Sequence, residues 1–591
     1  MKIPYGIADF YALVRNGYVY LDRTTHIRRL EELGRTLLFV RPRRFGKSLL
    51  LHMLSCYYDL RLGDEHDALF GELAVGTEPT PEAHHYFILR WSFASVDPSG
   101  SVADIGHRLQ QYVLGTVEAF LSDYREHLSE PVEVVEEPVR TLEHLLAAIR
   151  RTPYPLYLLI DEYDNFANEV IASDSSVYDS LVRADGPFKQ LFKWVKDAMQ
   201  GKGLERLFLT GVSPVVLMDL TSGLNICRNV SQHAALDDLC GFREEEVRSL
   251  VERAVADAGP DAPAVDDAME MMRTWYNGYR FTPRGRTVYN PTLAFYFLLE
   301  LQESGRYPRQ LLDANLSADE LKLRNLGRVA SGKKALIDLI QTGKPVEVDQ
   351  VADHFRLSDL LRASPTDTTF LGSFLYYFGM LTFAGDASWG GLLLDVPNLV
   401  VRKLYIDEVE RFLLPDDGDR SDARRPALAL MHGGDIGPLA RFIESTVFRV
   451  FSNRDYRWLN ELAVKTAFLT VLFNDASYYV VSSEPELDRG YADLCLLRRP
   501  DARRYELYDL LIEFKHVKLA ELGHSEAELR ELDDGALAAL KPVAAALDQA
   551  EAQLGRYAAR LREQHDDWLR LRSYAVVALG FVRLVAREVG Q

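Results

Sequence analysis

Two stretches of this chain set ionic side chains against apolar strands, in spacings that suit phosphorus chemistry. In LLIEFKHVK (510–518), Leu511, Ile512 and Phe514 call for burial, yet Glu513 and Lys515 interrupt them two positions apart. Side chains alternate along a strand, so the carboxylate and the ammonium share one face. The second stretch, FVRPRRFGKSLLL, places Gly46, Lys47 and Ser48 between an apolar strand and a helix. Backbone N–H groups at a helix N-terminus bind anions, a lysine there reaches the outer phosphates, and a hydroxyl holds Mg²⁺. The expected nucleotide contacts are Arg43, Arg44, Gly46, Lys47, Ser48 and Leu49. In the usual spacing, G-x-x-x-x-G-K-[ST], a glycine stands where this chain has Arg41. That exchange removes the residue that turns most freely, while Pro42, Arg43 and Arg44 stiffen and charge the loop.

Further along, LYLLIDEYDNF ends an apolar strand in Asp161 and Glu162. A P-loop NTPase needs an acid at such a strand end to hold Mg²⁺, so Asp161 joins Ser48 as an expected metal ligand. Glu162 is placed to polarise the attacking water. RLFLTGVSP then ends a strand in Thr210 and Ser213, which could sense a γ-phosphate or simply cap the strand.

The elements that must position these residues follow from the apolar patterning. TLLFV (36–40), YFILRWSF (86–93), LYLLI (156–160) and RLFLTGV (206–212) are expected strands, with amphipathic helices such as SLLLHMLSCYYDL between them. Strands alternating with helices imply a parallel sheet, here a P-loop NTPase sheet over residues 1–235. Residues 236–425 are expected to form a helical lid. FREEEVRSLVERAVADAG is acidic at its start and stops at Gly259-Pro260, and Pro291 suits a first helical turn. TFLGSFLYYFGMLTF followed by a hairpin and a helix could make a winged-helix module. The charged, proline-flanked run LPDDGDRSDARRP (414–426) reads as a linker. Residues 426–591 then hold a helix near 459–474, strands at 478–483, 491–498 and 505–515, and alanine-rich helices after 525.

With RPRRFGKS, LLIDEYD, FLTGVSP, WYNGYRF and VYNP in place, the chain resembles the AAA-ATPase-like proteins of bacteria and archaea. Arg41 is usual in that group, and its members typically end in a PD-(D/E)XK nuclease-like domain. The resemblance therefore implies a restriction-endonuclease-like α/β fold at the C-terminus. In its pattern an acid lies on one strand and an E-x-K pair on the next, which here are Asp493 in GYADLCLL and Glu513 with Lys515. Asp493 and Glu513 would bind Mg²⁺, or Mn²⁺, through oxygen. Lys515 would orient water or neutralise developing charge. Glu461 resembles a further acidic ligand from the preceding helix, and Gln553 with Tyr557, one turn apart, a Q-x-x-x-Y feature. Arg489 could meet a phosphate. Each of these has a plainer explanation: a solvated helix face, a surface arginine, or, for Asp493–Glu513–Lys515, a satisfied ion cluster. AAA-type sites often draw an arginine from a neighbouring copy in a homo-oligomer, and Arg228 or Arg243 could serve.

The 591 residues exceed a single core, so roughly two to four domains are expected. A net charge of −19 argues against broad, non-specific nucleic-acid affinity. Cys56, Cys227, Cys240 and Cys495 are too scattered for a zinc site or a disulfide framework, which suits a reducing cytoplasm. MKIPYGIADF lacks the layout of a secretory leader, and no apolar run approaches the ~20 residues of a membrane span. The expected function is an ATP-binding, ATP-hydrolysing protein whose C-terminal domain cuts nucleic acid, DNA first, under control of nucleotide state. A role in defence against foreign DNA fits that architecture. The alternative is a nucleotide-driven switch or scaffold that binds nucleic acid or a protein partner without cutting.

Overall fold

The computed structural model describes residues 1–97, 99–164, 186–214, 226–312, 345–353, 368–448, 461–473, 478–483, 486–487, 490–491, 493–565 and 568–590. They fall into two compact units. The first comprises Met1–Pro260, Tyr276–Ser304 and Val346–Pro397, and the second Asp261–Trp275, Gly305–Pro345 and Asn398–Gln591. Residues 236–425 thus contribute to both. The four cysteines are free. Among the described residues no helix is long and apolar enough to cross a membrane.

In the first unit, β1 (Thr36–Val40), β2 (Phe87–Ser92), β3 (Leu156–Asp161), β4 (Leu204–Gly211) and the short β5 (Arg228–Asn229) form a parallel sheet in the order β2-β3-β4-β1-β5. Strands β1, β3 and β4 are buried along nearly their whole length, which is why they read as continuous apolar runs. Helix α1 (Lys47–Tyr58) leaves the end of β1. Helix α2 (Val102–Asp123) opens with a capping box between Ser101 and Asp104, and α3 (Pro138–Ile149) and α4 (Pro187–Ala198) each open on a proline whose fixed φ suits a first turn. Because β1 lies inside the sheet while β2 takes the edge, the carboxyl ends of β1, β3 and β4 meet where open α/β sheets bind ligands.

The same unit holds α5 (Glu244–Ala258) packed on α6 (Pro291–Ser304). It also holds α7 (Thr368–Tyr377) and a small antiparallel sheet, β6-β8-β7, built from β6 (Val346–Val348), β7 (Thr382–Asp386) and β8 (Leu392–Asp395). The expected helix and hairpin are present with a third strand added. From Thr382 to Asp395 the hairpin carries Asp386 and Asp395 and no lysine or arginine, so it is an acidic wing with no charge to meet a phosphate.

In the second unit, α8 (Leu399–Leu413) is followed by α9 (Asp417–Gly433). The latter corrects the expected linker at 414–426. Ala423, Pro426, Ala427, Leu430 and Met431 are buried at helical spacing, and burial of that stripe outweighs the disfavoured internal proline, a cost of ~3 kcal/mol. Helix α10 (Glu461–Phe473) precedes a sheet in the order β15-β14-β13-β12-β9, made of β9 (Tyr479–Ser483), β12 (Leu494–Arg498), β13 (Asp509–Val517), β14 (Leu571–Leu579) and β15 (Arg583–Val589). A separate two-strand ladder joins β10 (Glu486–Leu487) to β11 (Gly490–Tyr491). β13 and β14 run parallel, and the long helix α11 (Lys541–His565) supplies the crossover that a parallel pair requires. Val543, Leu547, Ala550, Leu554, Tyr557 and Leu561 make one buried stripe on α11 at alternating spacings of four and three. That stripe packs on Leu511, Val517, Ala575 and Val577 of the sheet. On the alternate register of β13, Phe514 meets Phe468 of α10.

Candidate functional site

The first site lies where β1 runs into α1. Arg44 (φ 68°) and Gly46 (φ 89°) are both left-handed, and no side chain caps the N-terminus of α1. Left-handed residues between ordinary ones turn successive N–H groups inward, and uncapped N–H groups at a helix start are those an anion satisfies. Ser48 and Leu49 are half-buried in the first turn. Lys47 is buried, and its Nζ donates to the Pro42 carbonyl at 2.9 Å. Burial lowers its pKa, and the carboxylates Asp161, Asp164 and Glu162 oppose that shift. The lysine therefore stands in the field of all three acids of the DEYD stretch.

Asp161, 9% exposed, ends β3 and accepts the Glu162 N–H at 2.9 Å. Glu162 has φ 47°, a conformation glutamate rarely adopts. Such strain persists only where the surroundings fix it, and it clusters at functional sites. Burial first, then Asp161, raises the Glu162 pKa, against Lys47 and Arg43. A carboxyl that takes up a proton more readily than usual suits a general base.

Of the two polar residues at the end of β4, Ser213 is engaged elsewhere. Asp164 accepts its N–H at 2.8 Å and its hydroxyl at 3.3 Å, together with the Val212 N–H at 3.1 Å, and Tyr163 donates to its carbonyl at 2.6 Å. Asp164, buried at 1%, is a structural acid that sequence reasoning passed over, although the D-E-Y-D spacing carried the signal. Thr210 is fully buried, and its Oγ1 has no hydrogen-bond partner. An orphaned hydroxyl costs about 1–3 kcal/mol, so its retention at the carboxyl end of β4 fits a group that a ligand satisfies.

Arg41 is no substitute for a turn glycine. It is 1% exposed and donates to the carbonyls of Val40 (3.0 Å), Ser231 (2.6 Å) and Leu236 (3.0 Å). Its guanidinium lies 4.3 Å from the ring centre of Phe39 and 4.0 Å from that of Phe281. It clamps the root of the loop from behind. The downstream motifs serve the same loop: Asn290 donates to the Arg43 carbonyl at 3.4 Å, and Thr292 to the Arg44 carbonyl at 3.2 Å. Phe45 sits edge-on to Tyr279 and Phe281 with ring centres 4.9 and 5.2 Å away. Of the arginines considered for a neighbour's site, Arg228 donates to the Leu33 carbonyl at 2.9 Å and Arg243 pairs with Glu246 at 2.8 Å. Both are engaged within their own unit.

The second site lies at one end of the C-terminal sheet. Leu494 pairs with Ile512, which brings Asp493 beside Glu513. Asp493 Oδ2 accepts the Phe514 N–H at 2.8 Å, and the Asp493 N–H approaches Glu513 Oε2 at 3.4 Å. Lys515 Nζ donates to Glu513 Oε1 at 3.0 Å and to the Phe514 carbonyl at 2.9 Å. Glu513 is 2% exposed; burial first, then the Asp493 charge, raises its pKa to about 7 against the pull of Lys515. From α11, Tyr557 lies in the field of Glu513, Asp493 and Lys515, and burial and the two acids push its hydroxyl pKa up. One turn earlier, Gln553 Oε1 is buried with no hydrogen-bond partner. Glu461 opens α10, but its side chain lies outside the described residues, as does Arg489.

A structural ion cluster exists in the same sheet and looks different. Arg498 and Asp509, 1% and 0% exposed, pair at 3.0 Å. Asp509 also accepts the backbone N–H groups of Arg498 and Arg570, each at 2.7 Å. One charge meets one charge, and the lone pairs are filled. At Asp493–Glu513–Lys515 a second carboxylate stands beside the Glu513–Lys515 pair, close enough to raise the Glu513 pKa. Two adjacent carboxylates, one of them buried, fit a hard divalent cation. Among the described residues no three His, Cys, Asp or Glu side chains gather as a metal cluster, so Asp493 and Glu513 would need water or substrate oxygens to complete a coordination shell.

Residues 4–221 match the family model described as Predicted AAA-ATPase, and this N-terminal region is AAA-ATPase-like. An uncharacterized protein in the vnfD 5′ region of Azotobacter chroococcum mcd 1 is 30% identical over 299 residues, covering 49% of this chain and 50% of that protein. The chain thus spans about half the length of the curated relative it matches. Among solved structures, the Walker-type ATPase of Pyrococcus abyssi superposes with TM-score 0.37 at 14% identity, over 65% of this chain and 96% of that one. The ORC2 protein of Aeropyrum pernix, in ADPNP–ADP complexes, superposes with TM-score 0.26 at 10% identity, over 68% and 93%. Likenesses this loose carry no argument about either site.

Proposed function

We propose that this chain binds and hydrolyses ATP at the β1–α1 loop and cleaves a phosphodiester of nucleic acid, DNA first, at Asp493–Glu513–Lys515, with nucleotide state controlling cleavage. The ATPase core is proposed to lie within 1–235 and the nuclease-like domain within the C-terminal part of the second unit, with residues 236–425 contributing to both units. The observation that carries the nuclease reading is two carboxylates side by side at the sheet end: Glu513 is driven to a pKa of about 7 beside Asp493, whereas Asp509 in the same sheet pairs with Arg498. The element order supports it. A helix, three antiparallel strands, a crossover helix and a parallel strand put the acid and the E-x-K pair on adjacent strands, with α10 and α11 on opposite faces. The nuclease-like resemblance implies that layout.

At the ATP site the loop N–H groups would hold the phosphates, and Lys47, freed from the Pro42 carbonyl, would reach the outermost one. Ser48 and Asp161 would hold Mg²⁺, which offsets phosphate charge when bound. Glu162 would take the proton of the attacking water. At the nuclease site Asp493 and Glu513 would hold Mg²⁺ or Mn²⁺, which polarises a phosphodiester and acidifies water. Lys515, fixed by Glu513 and the Phe514 carbonyl, would orient that water and meet the charge that develops on the phosphate. Tyr557 would close the site from α11.

A second reading, a nucleotide-driven switch that binds a partner without cutting, is favoured by the net charge of −19 and the acidic wing. Coupling is tested with Lys47→Ala. The variant should lose ATP binding and change either the rate or the specificity of cleavage; loss of ATP binding with cleavage unaltered removes the coupling.

A further inference from the structure

Sequence spacing gives no reason to connect residues 376–382 with the phosphate loop, yet they lie against it. A Cβ built on Gly379 would stand 2.8 Å from Pro42 Cβ and 3.0 Å from Pro42 Cγ, and the glycine has φ +74°. Close approach and left-handed backbone both demand glycine there. On either side of Gly379 the chain is tied to the segment that holds Phe45. Tyr376 donates to the Phe281 carbonyl at 3.1 Å. Thr382 Oγ1 accepts the Arg280 N–H at 2.6 Å and donates to the Arg280 carbonyl at 3.0 Å. Tyr279 and Phe281, the residues flanking Arg280, supply the two rings around Phe45, and Phe281 also carries the Arg41 guanidinium.

We infer that Gly379 and Thr382 are positioning residues for the nucleotide site, acting through Pro42 and Phe45. This rests on the ATP-site reading proposed above. A cradle of N–H groups binds phosphate well only when it is already shaped, because ordering a loop at the moment of binding subtracts from affinity. This loop has no glycine at its first position, a left-handed Arg44 and two further arginines, so its shape has to be imposed from outside. Tyr279–Phe281 hold its middle and the Gly379 turn holds its start. Neither segment belongs to the set expected to touch nucleotide.

The test is binding of a fluorescent ADP analogue to the full-length chain, with melting of the nucleotide-free protein measured alongside. Gly379→Ala should weaken binding about tenfold, and Thr382→Val several-fold, with Thr382→Ser restoring most of the loss. Gly203→Ala is the control. That glycine precedes β4 at the opposite end of the strands, with φ +110° and a built Cβ 3.1 Å from Arg150 Cγ. It should lower the melting temperature and leave the affinity of the folded protein unchanged. Wild-type binding lost in Lys47→Ala but kept in both Gly379→Ala and Thr382→Val overturns this inference alone. Wild type that fails to bind the analogue overturns the ATP-site reading and this inference together. If Gly379→Ala does not fold, the Thr382 pair decides.

Discussion

Replacing Glu513 by glutamine should make the C-terminal sheet more stable at alkaline pH, the reverse of what a structural ion pair predicts. Burial and the neighbouring Asp493 lift the Glu513 pKa from 4.5 to about 7. The folded state therefore holds the proton more tightly than the unfolded state. The stabilisation is complete below the unfolded pKa and is lost as pH rises through the folded one. A rise of that size corresponds to about 3 kcal/mol. Glutamine cannot ionise, so Glu513→Gln escapes the loss above neutrality. The pull of Lys515 is already contained in that pKa. The expected net gain is about 3 kcal/mol at about pH 8.5, falling to about 1 kcal/mol at about pH 5.5. Asp509→Asn strands the buried Arg498 and should cost about 3–5 kcal/mol at both pH values. The assay is native-state hydrogen exchange of the β13 amides in the full-length chain, in chelator, referenced to intrinsic rates at each pH. If Glu513→Gln destabilises β13 at the higher pH as much as Asp509→Asn does, Glu513 is a structural residue and not half of a cation site.

Three further outcomes follow from the same geometry. Added Mg²⁺ or Mn²⁺ should restore wild-type stability at alkaline pH, by ~2.7 kcal/mol at a hundred times its Kd, and leave Glu513→Gln unmoved; an equal response from both places the ion elsewhere. Arg41→Gly, which recreates the usual loop spacing, should destabilise the first unit by about 3 kcal/mol or more through the lost carbonyl bonds and ring contacts; an unchanged melting curve would show the clamp to be idle. Glu162→Gln should keep nucleotide affinity within about threefold while phosphate release falls about a hundredfold or more; undiminished release assigns the base to another group.

The strands of the first unit were legible because β1, β3 and β4 are buried on both sides and leave continuous apolar runs. Gly46-Lys47-Ser48 and Asp161-Glu162 were legible because each follows such a run. Glu513 with Lys515 on one face was legible from strand alternation, and Asp493 beside them only through resemblance; the register of β12 on β13 is what brings the three together. Other features depend on contacts distant in sequence. Arg41 looks like a misplaced loop residue until its carbonyl partners at 231 and 236 are in place. Ser213 looks like a phosphate sensor until Asp164 is seen to hold it. The run 414–426 is polar enough for a linker, and its buried stripe shows only when it is continued to Met431. Strands β14 and β15 were missed because alanine and long apolar residues around 571–589 follow an alanine-rich helix and carry no period of their own. Residues 261–275 join the second unit although residues 276–304, directly after them, belong to the first, and nothing local marks that.

The proposed cleavage of a phosphodiester at Asp493, Glu513 and Lys515 has a direct test on plasmid DNA. The most direct measurement is conversion of supercoiled plasmid to nicked or linear form by the purified full-length chain with ATP and Mg²⁺ or Mn²⁺, beside Lys515→Ala. Metal-dependent cutting by wild type that is absent in Lys515→Ala is the predicted result. Intact plasmid with wild type under both metals, or equal cutting by the two proteins, would contradict it.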